Sequence, residues 1–129
     1  GEMNGTALLL GGPDERQAVE RIVELSGGSA IDGGVHELLD FAAIVGRLDA
    51  LVTGDTMALH IAVALGVPSV AIFGPTVEQE IDLFGGGRKI VTSADCAPCY
   101  RRECDVSPSC MDLVTVDEVA EALAGVLED

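Results

Sequence analysis

Residues 52–76 contain two short aliphatic runs separated by a helical pattern, and this order restricts the folds that are open to the chain. Residues 51–53 and 69–73 have the length and composition of buried strands, and residues 56–65 between them are predicted to form a helix that ends at Gly66. A strand, a crossover helix and a second strand are typical of a parallel sheet. We therefore predict two neighbouring strands whose carboxyl ends lie side by side.

The same alternation extends over most of the chain. Further strands are predicted at residues 6–10, 29–31 and 89–91, and further helices after Pro13, at residues 36–46 and after Thr115. The first of these helices has an apolar face made of Ala18, Ile22, Val23 and Leu25. Thr115 and Glu118 form a capping box at the start of the last helix. Strands that alternate with helices predict an α/β fold, with a parallel sheet, right-handed crossovers and helices on both faces.

Length and composition limit the number of domains and the partners that are open to the protein. Its 129 residues are enough for one domain, and 48% of them are hydrophobic with no Trp, so the core is expected to be aliphatic. The net charge of −15 argues against nucleic-acid binding, which needs Lys and Arg to neutralise phosphates. We find neither an apolar run long enough to cross a membrane nor a signal peptide in this sequence.

Small polar residues follow the two central strands at the point where ligands bind in open α/β sheets. Asp55 and Thr56 begin the third helix, His60 lies one turn later on the same face, and the turn from Gly74 to Thr76 follows the next strand. Two interpretations stay open at this stage. The residues at the helix start can act as an N-cap, with His60 as a structural residue. They can also bind a phosphate-bearing or sugar-bearing ligand, since a helix N-terminus attracts anions.

A second glycine-rich junction follows the first strand at residues 11–15. It matches neither the GxGxxG pattern nor a P-loop, so it is weak evidence for nucleotide binding by itself. Its acidic side chains can contact a ribose but repel phosphates.

Four cysteines are clustered in one loop, at Cys96, Cys99, Cys104 and Cys110. In a chain without a secretory signal, such a cluster favours metal or redox chemistry over a disulfide framework. A structural zinc site or an iron–sulfur cluster is a candidate, and reduced free thiols are the default alternative.

Residues 7–127 resemble the carboxyl-terminal half of the family 9 glycosyltransferases, the heptosyltransferases of bacterial lipopolysaccharide core assembly. The matching segments are LLLGGPDE at 8–15, HELLDFAAIVGRLDALVTGDT at 36–56, MALHIAVALGVPSVAIFGPT at 57–76 and CAPCYRRECDVSPSC at 96–110. The resemblance implies a GT-B architecture, of which this chain is one Rossmann-like half, a single donor-binding domain over residues 1–129. It also implies transfer of a heptose or related sugar from an ADP-sugar, with inversion and without a catalytic metal.

The resemblance also assigns roles to individual residues. Asp55 would contact the donor sugar, Thr56 and the following N–H groups the pyrophosphate, and His60 would line the same pocket. Glu15 would bind the adenosine ribose, and the loop at 34–37 would lie by the base. Met57 stands where the family often has glycine, which implies a reshaped phosphate pocket or an altered donor preference. The predicted substrate-binding residues are Gly12, Glu15, His36, Asp55, Thr56, Met57, His60, Gly74 and Thr76.

In this family the acceptor site and the expected general base lie in the amino-terminal domain. That domain is absent from these 129 residues, so we predict no catalytic residue here and expect the fragment alone to be inactive. The resemblance implies a cytoplasmic protein, or one peripheral at the inner membrane in its full-length form. The alternatives are a non-catalytic nucleotide-sugar binding module and a metal-binding interaction domain built on the Cys loop.

Overall fold

The computed structural model describes residues 5–54, 56–73, 87–91 and 114–128. Their strands are β1 (Ala7–Leu9), β2 (Ala30–Asp32), β3 (Leu51–Gly54), β4 (Ser69–Phe73) and β5 (Gly87–Val91). Their helices are α1 (Arg16–Leu25), preceded by a 3-10 turn at Pro13–Glu15, α2 (Leu38–Val45), α3 (Met57–Leu65) and α4 (Val116–Glu128). The predicted α/β fold is confirmed, and the element boundaries deviate from the sequence-based ones by about two residues.

The chain divides into two compact units, Gly1–Phe41 and Ala42–Asp129. In the first unit, β1 and β2 are parallel neighbours, with Ala7 paired to Ala30 and Leu9 to Asp32. Because the strands are parallel and in this register, the turns that follow Leu9 and Asp32 leave the sheet at the same edge.

The second unit contains a parallel three-stranded sheet in the order β3-β4-β5. Val52 pairs with Val70 and Gly54 with Ile72, so the carboxyl ends of β3 and β4 are adjacent. The prediction that these two strand ends lie side by side is therefore confirmed.

The two faces of β4 are covered by different helices. Ala71 and Phe73 point to one face, where they form a fully buried cluster with Leu59 of α3. Val70 points to the opposite face and packs against Ala122 and Val126 of α4. In this unit the predicted placement of helices on both faces of the sheet is confirmed.

The start of α4 also agrees with the sequence. The backbone N–H of Thr115 donates to Glu118 Oε2 at 2.8 Å, and the backbone N–H of Glu118 donates to Thr115 Oγ1 at 3.1 Å. This reciprocal pair is the predicted capping box, and it satisfies two backbone donors near the helix end.

The predicted apolar face of α1 is wrong for three of its four residues. Val19 is the buried residue of this helix, and Val23, one turn later, is half-buried. Ala18, Ile22 and Leu25 are exposed, with 49% and 67% of the surface of the last two accessible. Val19 packs against the turn after β1, where its Cγ2 lies 3.3 Å from the position that a Cβ on Gly11 would occupy, and this contact selects the buried side of the helix.

Among the described residues, no helix combines the length and the hydropathy that are needed to cross a membrane. The Cys-bearing loop at 96–110 lies outside the residues that the structure describes, as do Asp55, Gly74 and Thr76.

Candidate functional site

The start of α3 receives no capping hydrogen bond from the side chain of its N-cap residue. Thr56 occupies the N-cap position with extended backbone angles, φ −135° and ψ 173°, but its side chain makes no capping hydrogen bond. Its hydroxyl instead shares a hydrogen bond with the hydroxyl of Thr53, with the two oxygens 3.0 Å apart. The Leu59 N–H donates to the Thr56 carbonyl at 3.1 Å, and the Thr56 side chain satisfies none of the first amide groups of α3, a kind of helix end that attracts anions.

The predicted site residues of α3 lie on its exposed side. Thr56, Met57 and His60 are all exposed, and Met57 has 63% of its surface accessible. Leu59 and Ala62, in contrast, are completely buried. His60 is therefore not part of the core, and its structural and ligand-binding interpretations both stay predictions.

Three further predicted residues are located only through their neighbours. Asp55 follows Gly54 at the end of β3, and Gly74 and Thr76 follow Phe73 at the end of β4. Because Gly54 pairs with Ile72, the described ends of these strands leave the same edge of the sheet. The side chains of Asp55 and Thr76 lie outside the described residues, so their contacts stay predictions.

In the first unit, Gly12 and Glu15 belong to one turn. The backbone N–H of Gly12 donates to Glu15 Oε1 at 3.1 Å, and the N–H of Glu15 donates back to the Gly12 carbonyl at 3.0 Å. Glu15 therefore closes the Pro13–Glu15 turn, a role that the spacing of Gly12 and Glu15 could have indicated. An ionised carboxylate can accept several further hydrogen bonds, so this contact orients Glu15 without saturating it.

The turn from Asp32 to His36 follows β2 at the same sheet edge. The backbone N–H of Gly34 donates to Asp32 Oδ1 at 2.8 Å, and the N–H of Gly33 donates to the Leu9 carbonyl at 2.8 Å. Gly34 has a φ of +80°, which glycine adopts readily. The His36 ring folds back over this turn, with Nε2 within hydrogen-bonding distance of the Gly33 carbonyl.

An ion pair that the sequence reasoning missed joins these two turns. Arg16 Nη1 donates to Asp32 Oδ1 at 3.0 Å, and Arg16 Nη2 donates to Asp32 Oδ2. The hydrogen bond from Arg16, followed by the one from the Gly34 N–H, lowers the pKa of Asp32. The same hydrogen bond raises the pKa of Arg16. Asp32 before two glycines indicates a turn, but it does not indicate an ion pair. The partner Arg16 lies 16 residues away, too far for local spacing to indicate the pair.

The lowered pKa of Asp32 predicts a pH-dependent contribution to stability. Because the carboxyl binds its proton less readily in the folded state, the pair stabilises the fold above the unfolded-state pKa of about 3.9 and loses this effect as the pH falls through the lowered value. Asp32→Asn should therefore lower the free energy of unfolding at pH 7 by a small amount, since the pair is partly exposed, and the difference from wild type should shrink below about pH 4. Urea unfolding at a series of pH values measures this. A difference that is constant with pH would contradict the prediction.

The predicted site residues thus fall into two described groups. Gly12, Glu15 and His36 occupy adjacent turns of the first unit, and Thr56, Met57 and His60 lie at the start of α3 in the second. Among the described residues there is no group of three or more His, Cys, Asp or Glu side chains that could hold a metal ion. The Cys loop lies outside them, so a zinc or iron–sulfur site there stays a prediction.

Comparison with known proteins identifies the family to which these groups of residues point. Residues 2–109 match the family model of glycosyltransferase family 9 (heptosyltransferase). The chain belongs to this family. The match to glycosyltransferase family 9 includes both turns of the first unit, the start of α3 and most of the Cys loop.

A curated relative matches part of this chain. Lipopolysaccharide heptosyltransferase 1 of Pseudomonas aeruginosa is 32% identical over 73 residues, which are 56% of this chain. Those residues are 21% of the relative, so the match spans about a fifth of its length. No solved structure gave a significant match.

Proposed function

We propose that this chain is the donor-binding domain of an inverting glycosyltransferase that transfers a heptose or related sugar from an ADP-sugar to an acceptor of the lipopolysaccharide-core type. Membership of family 9 supports glycosyl transfer, and the name of the Pseudomonas relative supports heptose as the sugar. The observation that carries the proposal is the exposed start of α3, where the Thr56 side chain makes no capping hydrogen bond, beside the carboxyl ends of β3 and β4.

The diphosphate of the donor would bind at the start of α3. The N–H groups of the first turn point along the helix axis away from its body, and the helix dipole adds a partial positive charge there. The Thr56 hydroxyl would donate to a phosphate oxygen, with Met57 and His60 lining the same exposed surface. Binding at a helix start suits a chain of net charge −15, because the backbone dipoles there attract a dianion without Lys or Arg.

The nucleoside would bind at the turns of the first unit. The Glu15 carboxylate, held by the Gly12 N–H, would accept hydrogen bonds from ribose hydroxyls. His36 and the turn it covers would lie by the adenine base. Asp55 would accept hydrogen bonds from the sugar hydroxyls of the donor, and Gly74 and Thr76 would contribute to the same substrate site.

Inverting transfer needs a base that deprotonates the acceptor hydroxyl while the departing diphosphate is stabilised. Within the proposal, this chain supplies the stabilisation through α3, and an amino-terminal acceptor domain supplies the base. The transfer is proposed to need no catalytic metal. A cytoplasmic location, with contact to the inner membrane through the acceptor domain, is part of the same proposal.

Titration of the chain with ADP, UDP and GDP, followed by calorimetry and NMR, tests the proposal. We expect saturable binding of ADP with amide shifts at residues 11–15 and 54–60. Thr56→Val should raise the dissociation constant for ADP about 10-fold, because hydrogen bonds to charged groups contribute ~1.5 kcal/mol or more. Asp55→Ala should weaken ADP-heptose more than ADP, since the sugar is its proposed contact.

Thr6→Val is the matched control, because Thr6 is exposed and precedes β1 at the opposite end of the strand from the ligand turns. It should bind ADP as the wild type does. Preference for UDP or GDP would change the proposed base, and no saturable binding of any of the three would contradict the proposal of a donor-binding domain.

A further inference from the structure

The carboxylate of Asp32 is the point at which two separate turns of the first unit meet. It accepts a two-pronged hydrogen bond from Arg16 and a third hydrogen bond from the Gly34 N–H at 2.8 Å. Arg16 is the first residue of α1 and directly follows Glu15, whereas Asp32 is the last residue of β2. One side-chain pair therefore connects the turn of Gly12 and Glu15 to the turn of Gly34 and His36.

This pair is better suited to fixing geometry than to stabilising the fold. About a third of each side chain is exposed, 32% for Arg16 and 33% for Asp32, and ion pairs with such access to water contribute little to stability. A planar guanidinium that donates two parallel hydrogen bonds nevertheless fixes the direction of the carboxylate. The fixed carboxylate in turn fixes the Gly34 amide.

The contacts within the Asp32–His36 turn also restrict the position of the His36 ring. The His36 Nε2 lies against the Gly33 carbonyl, and a methyl group placed on Gly34 would be 3.4 Å from the same nitrogen. The His36 ring thus lies against the peptide that joins Gly33 and Gly34. Any rotation of that peptide moves both the ring and the backbone groups that the turn presents.

We propose that Arg16 and Asp32 are positioning residues, which hold the Glu15 and His36 turns in the arrangement that binds the nucleoside part of the donor. This inference rests on the proposed function, because it assumes that these turns meet a nucleoside. Neither residue need touch the ligand. Without the pair, only a fraction of the molecules holds both turns in the binding arrangement, and the apparent affinity falls by that fraction.

The test compares three variants of the 129-residue chain in calorimetric titration with ADP. Arg16→Ala should raise the dissociation constant about 10-fold, as expected if the binding arrangement falls to about a tenth of the population. Arg16→Lys should recover part of the loss, because an ammonium keeps the charge but not the planar fork. Arg21→Ala is the matched control: it removes an arginine from the same helix, where Arg21 forms only an exposed pair with Glu24 at 3.5 Å.

A second measurement needs no ligand. The amide of Gly34 and the ring of His36 should shift in the NMR spectrum of ligand-free Arg16→Ala and return toward the wild-type positions in Arg16→Lys. Thermal unfolding of each variant shows whether it is folded at the titration temperature. In Arg21→Ala both NMR signals should stay at their wild-type positions.

The outcomes separate this inference from the proposed function. If the wild type binds ADP and Arg16→Ala binds it as tightly, the positioning role is wrong while the donor site stands. If Arg16→Ala and Arg21→Ala lose affinity equally, the effect is one of charge, which also overturns the positioning role. If the wild type binds no nucleotide, the proposed function fails and the role in binding fails with it, but the ligand-free spectra still decide whether the pair orders the turn.

Discussion

Replacement of Leu59 by alanine is expected to lower the free energy of unfolding by about 2–5 kcal/mol. Leu59 is completely buried on α3, where it packs with Ala71 and Phe73 of β4 and with the partly buried Val63. The truncated side chain would leave a cavity against a rigid strand, so the lost contacts are not replaced. Since domains of this size are stable by only about 5–15 kcal/mol, this loss is a large fraction of the total. Urea unfolding measures it.

Leu65→Ala is the matched control, because it is the same substitution on the same helix at a residue that is 53% exposed. It should change the free energy of unfolding by no more than about 0.5–1 kcal/mol. Equal losses in the two variants would mean that the core of the second unit is not centred on the contact between α3 and β4. The comparison also bears on function, since α3 presents Thr56, Met57 and His60.

The described part of the second unit could be predicted well because its sequence signals are local. The five residues of β4 are four buried positions and one half-buried one, so an uninterrupted apolar run between turn residues identified the strand with its observed limits. The capping box of α4 needs only two residues three positions apart. Parallel pairing of β3 and β4 followed from the helix between them, which requires a crossover connection.

The first unit was harder to predict because its packing depends on which side of α1 is buried and on residue pairs that are far apart in the sequence. The spacing of apolar residues indicated that α1 is a helix, but the buried side, at Val19, depends on packing against the turn after β1. The match between Arg16 and Asp32 depends on how β1 and β2 are paired, which residue spacing does not encode. Of the predicted site, the helix that carries His60 was predicted from sequence, whereas the exposure of His60 and the hydrogen bond of Thr56 to Thr53 were not.

Replacement of Gly33 by alanine is the second substitution with a large expected effect. A methyl group on Gly33 would lie 2.8 Å from the carbonyl oxygen of Leu9 and 2.7 Å from Cδ2 of Leu10. The Leu10 side chain can rotate away, but the Leu9 carbonyl accepts the N–H of Gly33 and belongs to β1. Relief therefore requires movement of the turn or of the strand, and overpacking of this kind costs about 1–3 kcal/mol.

The result should be a less stable protein whose Asp32–His36 turn is displaced, measured by urea unfolding and by the amide shifts of Gly34 and His36. Gly12→Ala is the matched control at the neighbouring turn. Its methyl group would lie 3.6 Å from Glu15 Oε1, an ordinary contact, and its φ of −82° suits any residue. If Gly33→Ala is as stable as Gly12→Ala and keeps the wild-type shifts, the turn tolerates a side chain there. The close approach of Gly33 to β1 would then not be needed for the position of this turn.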